Sequence, residues 1–513
     1  MKLPGLLLAL WFVPMAWCAG PPDSWVPAHW DGGPLELAHR AKDKALADPA
    51  VRDAIGRWYE PATLDLLSGT PVNCLLVTFT AGADPEIEGR QHQLVKQYAR
   101  VARERGFAVL GLVYPGANPQ TAATAALDAG LDGLVLEGEF AGGTGYSEQL
   151  EKSLRAKGAA ALVITVASAP ALNRKAAAPV LAVKGGSPGA VKAESGTVAA
   201  GASGGQWVDS NLWLVRSYRL GSGWRPVWVS QRPAGGSRQV YLRSIADAAA
   251  AGGRWIIALD DGLRAGLWRK EDRALELWRE MASFLKFYED HADWRGFAPF
   301  GKVAIIPYSG GQNQESAEEY LNLTARRNIP YKLIDRPQLS STPLQDFRAV
   351  IALALGSPSA AERKSLSDYA AGGGLVLAGA SWGGAPKDQS YTVVQVGKGG
   401  AAVYREDAPD PESVARDLFD LLNTDEFGVS VFDAASVLSY VSTGEAGKRM
   451  LIQLVNYADR PAEQIKLWVY ENFESVRLYT PDGAPVDLTP KHSGGRIEFT
   501  VNRLPVCGAL LLQ

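Results

Sequence analysis

From Val72 onward the chain alternates apolar runs of strand length with amphipathic helical stretches, and this alternation constrains the fold more than any other feature. The candidate strands are Asn73–Thr80, Phe107–Tyr114, Gly133–Glu139, Ala161–Ala167, Val180–Lys184, Asn211–Ser217, Val227–Ser230 and Arg254–Asp260. Most are continuous apolar runs, the pattern of strands covered on both faces. Helical patterns fall at Gly89–Arg105, Gln120–Ala129, Ser147–Lys157 and Val240–Gly252, and Lys270–His291 closes the series. Eight strands with intervening helices predict a (β/α)8 TIM barrel over residues 21–296. The barrel is expected to be irregular. Gly185–Asp209 is rich in Gly, Ala and Ser with no amphipathic helix. The link Tyr218–Arg225 is shorter than the ~10 residues of a helical crossover.

At 513 residues the chain exceeds one core, so further domains must follow the barrel. His291–Phe300 is an aromatic hinge with one proline. Beyond it lie short strands at Lys302–Pro307, Tyr331–Ile334, Ala349–Leu353 and Gly374–Ala378, with helices at Gln314–Asn328, Ser359–Ala371 and Pro411–Leu422. This predicts a small, doubly wound parallel α/β domain over 297–427. From Gly428 the pattern is strand-only, broken by turn signals such as Pro481-Asp482-Gly483. Residues 428–513 are therefore expected to form an antiparallel β-sandwich.

The formal charge of -3, with no polybasic run, argues against nucleic acid or an anionic membrane surface as partner. The first 20 residues read as a secretory signal peptide: Lys2, an apolar Leu6–Trp17 core, then Cys18-Ala19-Gly20. Secreted or periplasmic localisation follows, with a lipoprotein anchor on Cys18 as the rival. No segment reaches the ~18 apolar residues of an integral membrane span. Cys74 and Cys507 read as buried small hydrophobes. Fifteen tryptophans suit either a core or sugar-stacking platforms.

In such a barrel every strand end opens onto one face, where chemistry sits. The third predicted strand delivers Glu137 and Glu139, and the eighth delivers Asp260 and Asp261. Glycosidic bond cleavage needs one protonated carboxyl and one ionised carboxylate, and neighbouring charges push such pKa values apart. These four residues are the catalytic candidates. The same carboxylates could equally cap helices or pair with arginine. Tyr114, Lys184, Asp209, Arg216, Tyr218 and Arg232 are the substrate-binding candidates. The cationic ones could bind an acidic sugar or form internal salt bridges. The middle domain carries no nucleophile: Ser357 and Ser359 have no identifiable histidine partner. No dinucleotide, phosphate-loop or zinc motif is present, and no metal or cofactor is demanded.

Phe300-Gly-Lys-Val-Ala-Ile-Ile-Pro-Tyr-Ser309, Glu318-Glu-Tyr-Leu-Asn322, Gln453-Leu-Val-Asn-Tyr457 and Val476-Arg-Leu-Tyr-Thr-Pro-Asp-Gly483, in this domain order, resemble bacterial secreted glycoside hydrolases of the beta-galactosidase type. The resemblance implies a barrel, a flavodoxin/amidotransferase-like domain that has lost its own catalysis and supports homo-oligomerisation, and a C-terminal β domain. It also implies a carbohydrate substrate. Those enzymes place one Glu after the fourth strand, behind an Asn, and a second after the seventh. This sequence has no Asn-Glu at a strand end, and its seventh strand runs into Gln231 and Arg232. Three readings follow: a glycoside hydrolase-like protein using rim carboxylates, a noncatalytic glycan-binding or assembly protein derived from one, and a lyase on acidic sugars using Lys184 or Tyr114.

Overall fold

The computed structural model describes residues 20–513 apart from 142–143, 158–161, 169–178, 194–195, 198, 201–204, 221–224, 234–235, 308–313, 354 and 356–357. The expected signal segment, including Cys18, and Ser357 lie outside the described residues.

Eight parallel strands form one sheet: β1 (Pro27–His29), β2 (Cys74–Thr80), β3 (Ala108–Val113), β4 (Gly133–Glu137), β5 (Leu162–Ala167), β6 (Leu181–Lys184), β7 (Val227–Ser230) and β8 (Arg254–Trp255). The sheet closes on itself. Ala28 bridges Ile257, the His29 N–H donates to the Ile257 carbonyl at 2.7 Å, and the Ile257 N–H donates to the Pro27 carbonyl at 3.0 Å. The TIM barrel expectation holds, but two of its parts move. The first strand is Pro27–His29, in what reads as an extended lead-in. Asn211–Ser217 is not a strand. It belongs to helix α6 (Leu212–Arg219), which buries Leu212, Leu214, Val215 and Tyr218. A short apolar run fits either period, and here the helix wins because β6 pairs directly with β7 and leaves no strand slot between them.

This shift recounts the barrel. Glu137 ends the fourth strand rather than the third, whereas Gln231 and Arg232 still follow the seventh. The sixth unit has not lost its helix. Between β6 and α6 the chain makes an excursion of two-residue antiparallel ladders, pairing Gly189–Ala190 with Val208–Asp209, Lys192–Ala193 with Gly196–Thr197, and Ala199–Ala200 with Gly205–Gln206. The expected helices are present as α3 (Pro85–Glu104), α4 (Pro119–Ala129), α5 (Thr144–Ala156), α7 (Arg238–Ala250) and α9 (Asp272–Asp290). A further short helix, α8 (Asp261–Trp268), follows β8.

The middle sheet runs in the order 331–333, 303–305, 349–352, 375–378, 399–404, 391–396; all its pairings are parallel except the last, an antiparallel hairpin. The C-terminal part has a six-stranded and a four-stranded sheet that enclose Val441, Ile452, Leu467, Val469, Ile497 and Leu510. Trp25, Trp30, Trp58 and Trp228 are fully buried, so much of the tryptophan content is core rather than sugar platform. Cys74 and Cys507 are free and buried. No described helix is long and apolar enough to cross a membrane.

Candidate active site

The C-terminal mouth of the barrel encloses a network of buried charge. The short β1 delivers His29 and then Asp31, whose side chain is fully buried. Arg232, just beyond β7, reaches down so that its Nη2 lies 2.8 Å from Asp31 Oδ2, with 47% of its own side chain still exposed at the mouth. Arg264 on α8 adds a second guanidinium at 3.7 Å and donates to the Asp31 carbonyl at 3.0 Å. His29 Nδ1 stands 3.5 Å from the other carboxylate oxygen. Burial by itself would push the Asp31 carboxyl up, but Arg232, His29 and Arg264 outweigh it and hold the group well below the usual carboxylate range.

Glu36, on helix α1 (Gly33–His39), moves the other way. Burial and then the Asp31 charge raise its carboxyl, and Thr78 Oγ1 donates to it at 2.8 Å. Tyr114, at the end of β3, is buried among Asp31, Glu36 and Glu137, and its hydroxyl is pushed well above its ordinary value, by burial first and then by those charges. The His39 ring stacks on it at 4.6 Å. Glu137 completes the group. It is half-buried, its charge acts on Tyr114 and Arg232, and its Oε2 is buried without a hydrogen-bond partner.

Of the ten sequence candidates, the structure therefore brings Glu137, Tyr114 and Arg232 together. Glu139 is exposed beyond β4, and Lys184 is exposed at the end of β6. Asp260 caps α8: Oδ1 accepts from the Leu263 N–H at 2.8 Å and Oδ2 from the Tyr241 hydroxyl at 2.7 Å. Asp261 is gripped by both Arg40 nitrogens, at 2.9 and 2.6 Å. Asp209 lies in the excursion after β6, where Trp207 Nε1 donates to it at 3.1 Å. Arg216 and Tyr218 sit on α6, not at a strand end. Arg216 donates to the Tyr331 carbonyl at 3.3 Å and covers the Tyr331 ring at 5.0 Å, turned toward the middle sheet. Sequence reasoning missed His29, Asp31 and Glu36. The one available signal was Ala28-His29-Trp30-Asp31, a carboxylate two residues beyond a three-residue strand.

No family model matches the chain, and no curated protein matches it. Among solved structures, the chain is similar to an alpha-L-fucosidase isoenzyme 2 from Paenibacillus thiaminolyticus, with a TM-score of 0.60 at 12% identity over 95% of this chain and 99% of that one. An exo-beta-1,4-mannosidase from Opitutaceae bacterium strain TAV5 matches with TM-score 0.48 at 11% identity, over 78% of this chain and 96% of that one. A catalytic mutant of a GH42 beta-galactosidase from G. stearothermophilus matches with TM-score 0.41 at 12% identity, over 83% and 67%. The first of these spans nearly both whole chains, and it shows that the two share a fold.

Proposed function

We propose that this chain binds an oligo- or polysaccharide at the mouth of the barrel and acts on it as a glycoside hydrolase, with Glu137 as the reacting carboxyl group. The observation that carries the reading is the placement of Glu137. It ends the fourth strand, near where the resembling enzymes carry a glutamate behind an Asn, with Leu136 in place of that Asn, and one of its oxygens is buried without a hydrogen-bond partner. Buried polar groups are normally satisfied, so an unmet acceptor at a barrel mouth points to a ligand. Arg232 supports it. Pinned from below by Asp31, it offers a fixed positive charge beside Glu137. Tyr114 keeps its proton and can donate a hydrogen bond to a sugar hydroxyl, which also makes it unsuited to the base role of the lyase reading. Export through residues 1–20 and self-association through the middle sheet belong to the same proposal.

A second reading, glycan binding without turnover, is favoured by a specific observation. Asp260 and Asp261 are committed to a helix cap and an arginine pair, and the seventh strand ends in Gln231 and Arg232, so these positions supply no second carboxylate. The experiment that separates the readings is turnover of aryl glycosides and polysaccharides, with binding measured in parallel, for the wild type and Glu137→Gln. Hydrolysis requires wild-type turnover that falls about 100- to 10,000-fold in the variant while binding survives, the range of a lost general acid or base. Wild-type binding with no turnover on any glycan establishes the second reading.

A further inference from the structure

Strands β6 and β7 bring two cations to one side of the barrel mouth. The strands pair in register, Ala182 beside Trp228 and Lys184 beside Ser230. Ala182 and Trp228 lie in the barrel interior with Val135 and Ile256. Side chains alternate along a strand, so Lys184 stands on the same interior face, at the strand end, where it is exposed. Arg232 lies two residues past Ser230 and turns to that side as well. The Gln231 side chain bonds Ser244 on α7, behind the barrel wall, whereas Arg232 reaches inward to Asp31. Strands about 4.8 Å apart, with a rise of about 3.3 Å per residue, put the two Cα atoms roughly 8 Å from each other.

The two cations are held differently. Arg232 is tied by Nη2 to the buried Asp31, with about half of its side chain open to the mouth. Among the described residues no further hydrogen bond engages its guanidinium, and no ion pair engages Lys184. A guanidinium fixed at one nitrogen has little rotamer freedom left to lose, and its planar fork matches a carboxylate. Lys184 adds a mobile point charge beside it.

The other carboxylates of the mouth do not occupy this side. Glu137 stands on β4, two strands from β6 and about 10 Å along the rim. Its charge acts on Arg232 without forming an ion pair. Asp260 and Asp261 hold Tyr241 and Arg40. Glu139 is exposed beyond β4, and Asp209 accepts from Trp207; among the described residues neither pairs with Lys184 or Arg232. An acid group at β6 and β7 and a reacting bond at Glu137 would therefore occupy different parts of the mouth.

We propose that the mouth selects glycans that carry a carboxylate, with a uronic acid unit bound between Arg232 and Lys184. The inference rests on the glycan reading above and names the class of glycan. The carboxylate accepts from the remaining N–H groups of Arg232 and from the Lys184 ammonium.

The test is isothermal titration of the full chain, at physiological salt, with oligosaccharides of polygalacturonate, hyaluronan and alginate, each beside its carboxyl-reduced counterpart. The two members of a pair differ only in the acid group. In at least one pair the acid should bind at least about tenfold more tightly, the worth of a hydrogen bond to a charged group. That ratio of affinities should fall about threefold in Lys184→Gln, as for an exposed ion pair, and about tenfold in Arg232→Gln. A merely structural role would weaken both members alike and leave the ratio unmoved. Arg232→Gln removes a partner of buried Asp31, so circular dichroism checks its fold, and Lys184→Gln decides if it does not fold. Carboxyl-reduced or other neutral glycans bound as tightly as the acids would overturn this inference and leave the glycan reading standing. An acid preference that survives unchanged in Lys184→Gln overturns the assignment to these residues. Binding to no glycan, acidic or neutral, overturns both.

Discussion

The barrel and the middle domain both end parallel strands at an open face, yet their strand ends are put to different use. At the barrel mouth, Asp31, Glu36 and Arg264 are buried together, with Arg232 reaching in from above and Glu137 left with an unmet oxygen. In the middle sheet, the strand Ala349–Ala352 leads to Ser359, which caps its helix in a reciprocal box with Glu362: Ser359 Oγ accepts from the Glu362 N–H at 3.2 Å, and Glu362 accepts from the Ser359 N–H at 2.7 Å. Arg336 completes that cluster at 2.7 Å and holds Glu362 down to about 2. The polar groups of this box answer one another. The difference teaches that a strand end becomes a candidate for chemistry where charge is buried beyond what local capping requires, because such burial is costly and apolar packing would otherwise replace it.

The comparison breaks first at Asp31. Asp31→Ala would leave two arginines at the mouth without their shared carboxylate, and loss of about 3–5 kcal/mol of stability is expected in denaturant melts. A loss near zero would mean that Asp31 is solvated and the buried network is not real.

Glu36 sharpens it through pH. Its folded-state carboxyl is raised above the ordinary 4.5, so the folded form holds the proton more tightly than the unfolded chain. The associated stability is therefore present below that value and lost as pH climbs through the raised one. Glu36→Gln should flatten the fall in stability measured by urea midpoints as pH rises above 4.5. An unchanged slope would assign the fall to other groups.

The smallest effect is expected in the middle domain. Ser359→Ala should cost about 1 kcal/mol, the worth of a helix cap, and should leave glycan turnover and binding unchanged. Any change in activity would mean that the middle domain takes part in the site.

Local pattern was legible where periodicity is strong. Seven of the eight barrel strands fall on predicted runs, because strands covered on both faces must be continuously apolar. Pro27–His29 escaped notice because three residues carry no period. Asn211–Ser217 misled because a short apolar run suits a buried helix face as well as a strand. At the site, Glu137, Tyr114 and Arg232 were legible because each stands at or just beyond the end of a recognisable strand. Asp31 and Glu36 were not, because their strand was missed and their surroundings read as a loop.

What the sequence determined by itself was therefore the alternation of elements, the change to an all-strand pattern after Gly428, and the acidic end of the strand that carries Glu137. What only the tertiary structure decided was their partners. Arg40 lies 221 residues from Asp261 in sequence, and the Arg264 that meets the Asp31 carbonyl lies 233 away. Hydrophobic periodicity is a property of a few neighbouring residues. Ion pairing across such separations exists only once the barrel has closed and brought β1 against β8, and that closure settles which carboxylates meet an arginine.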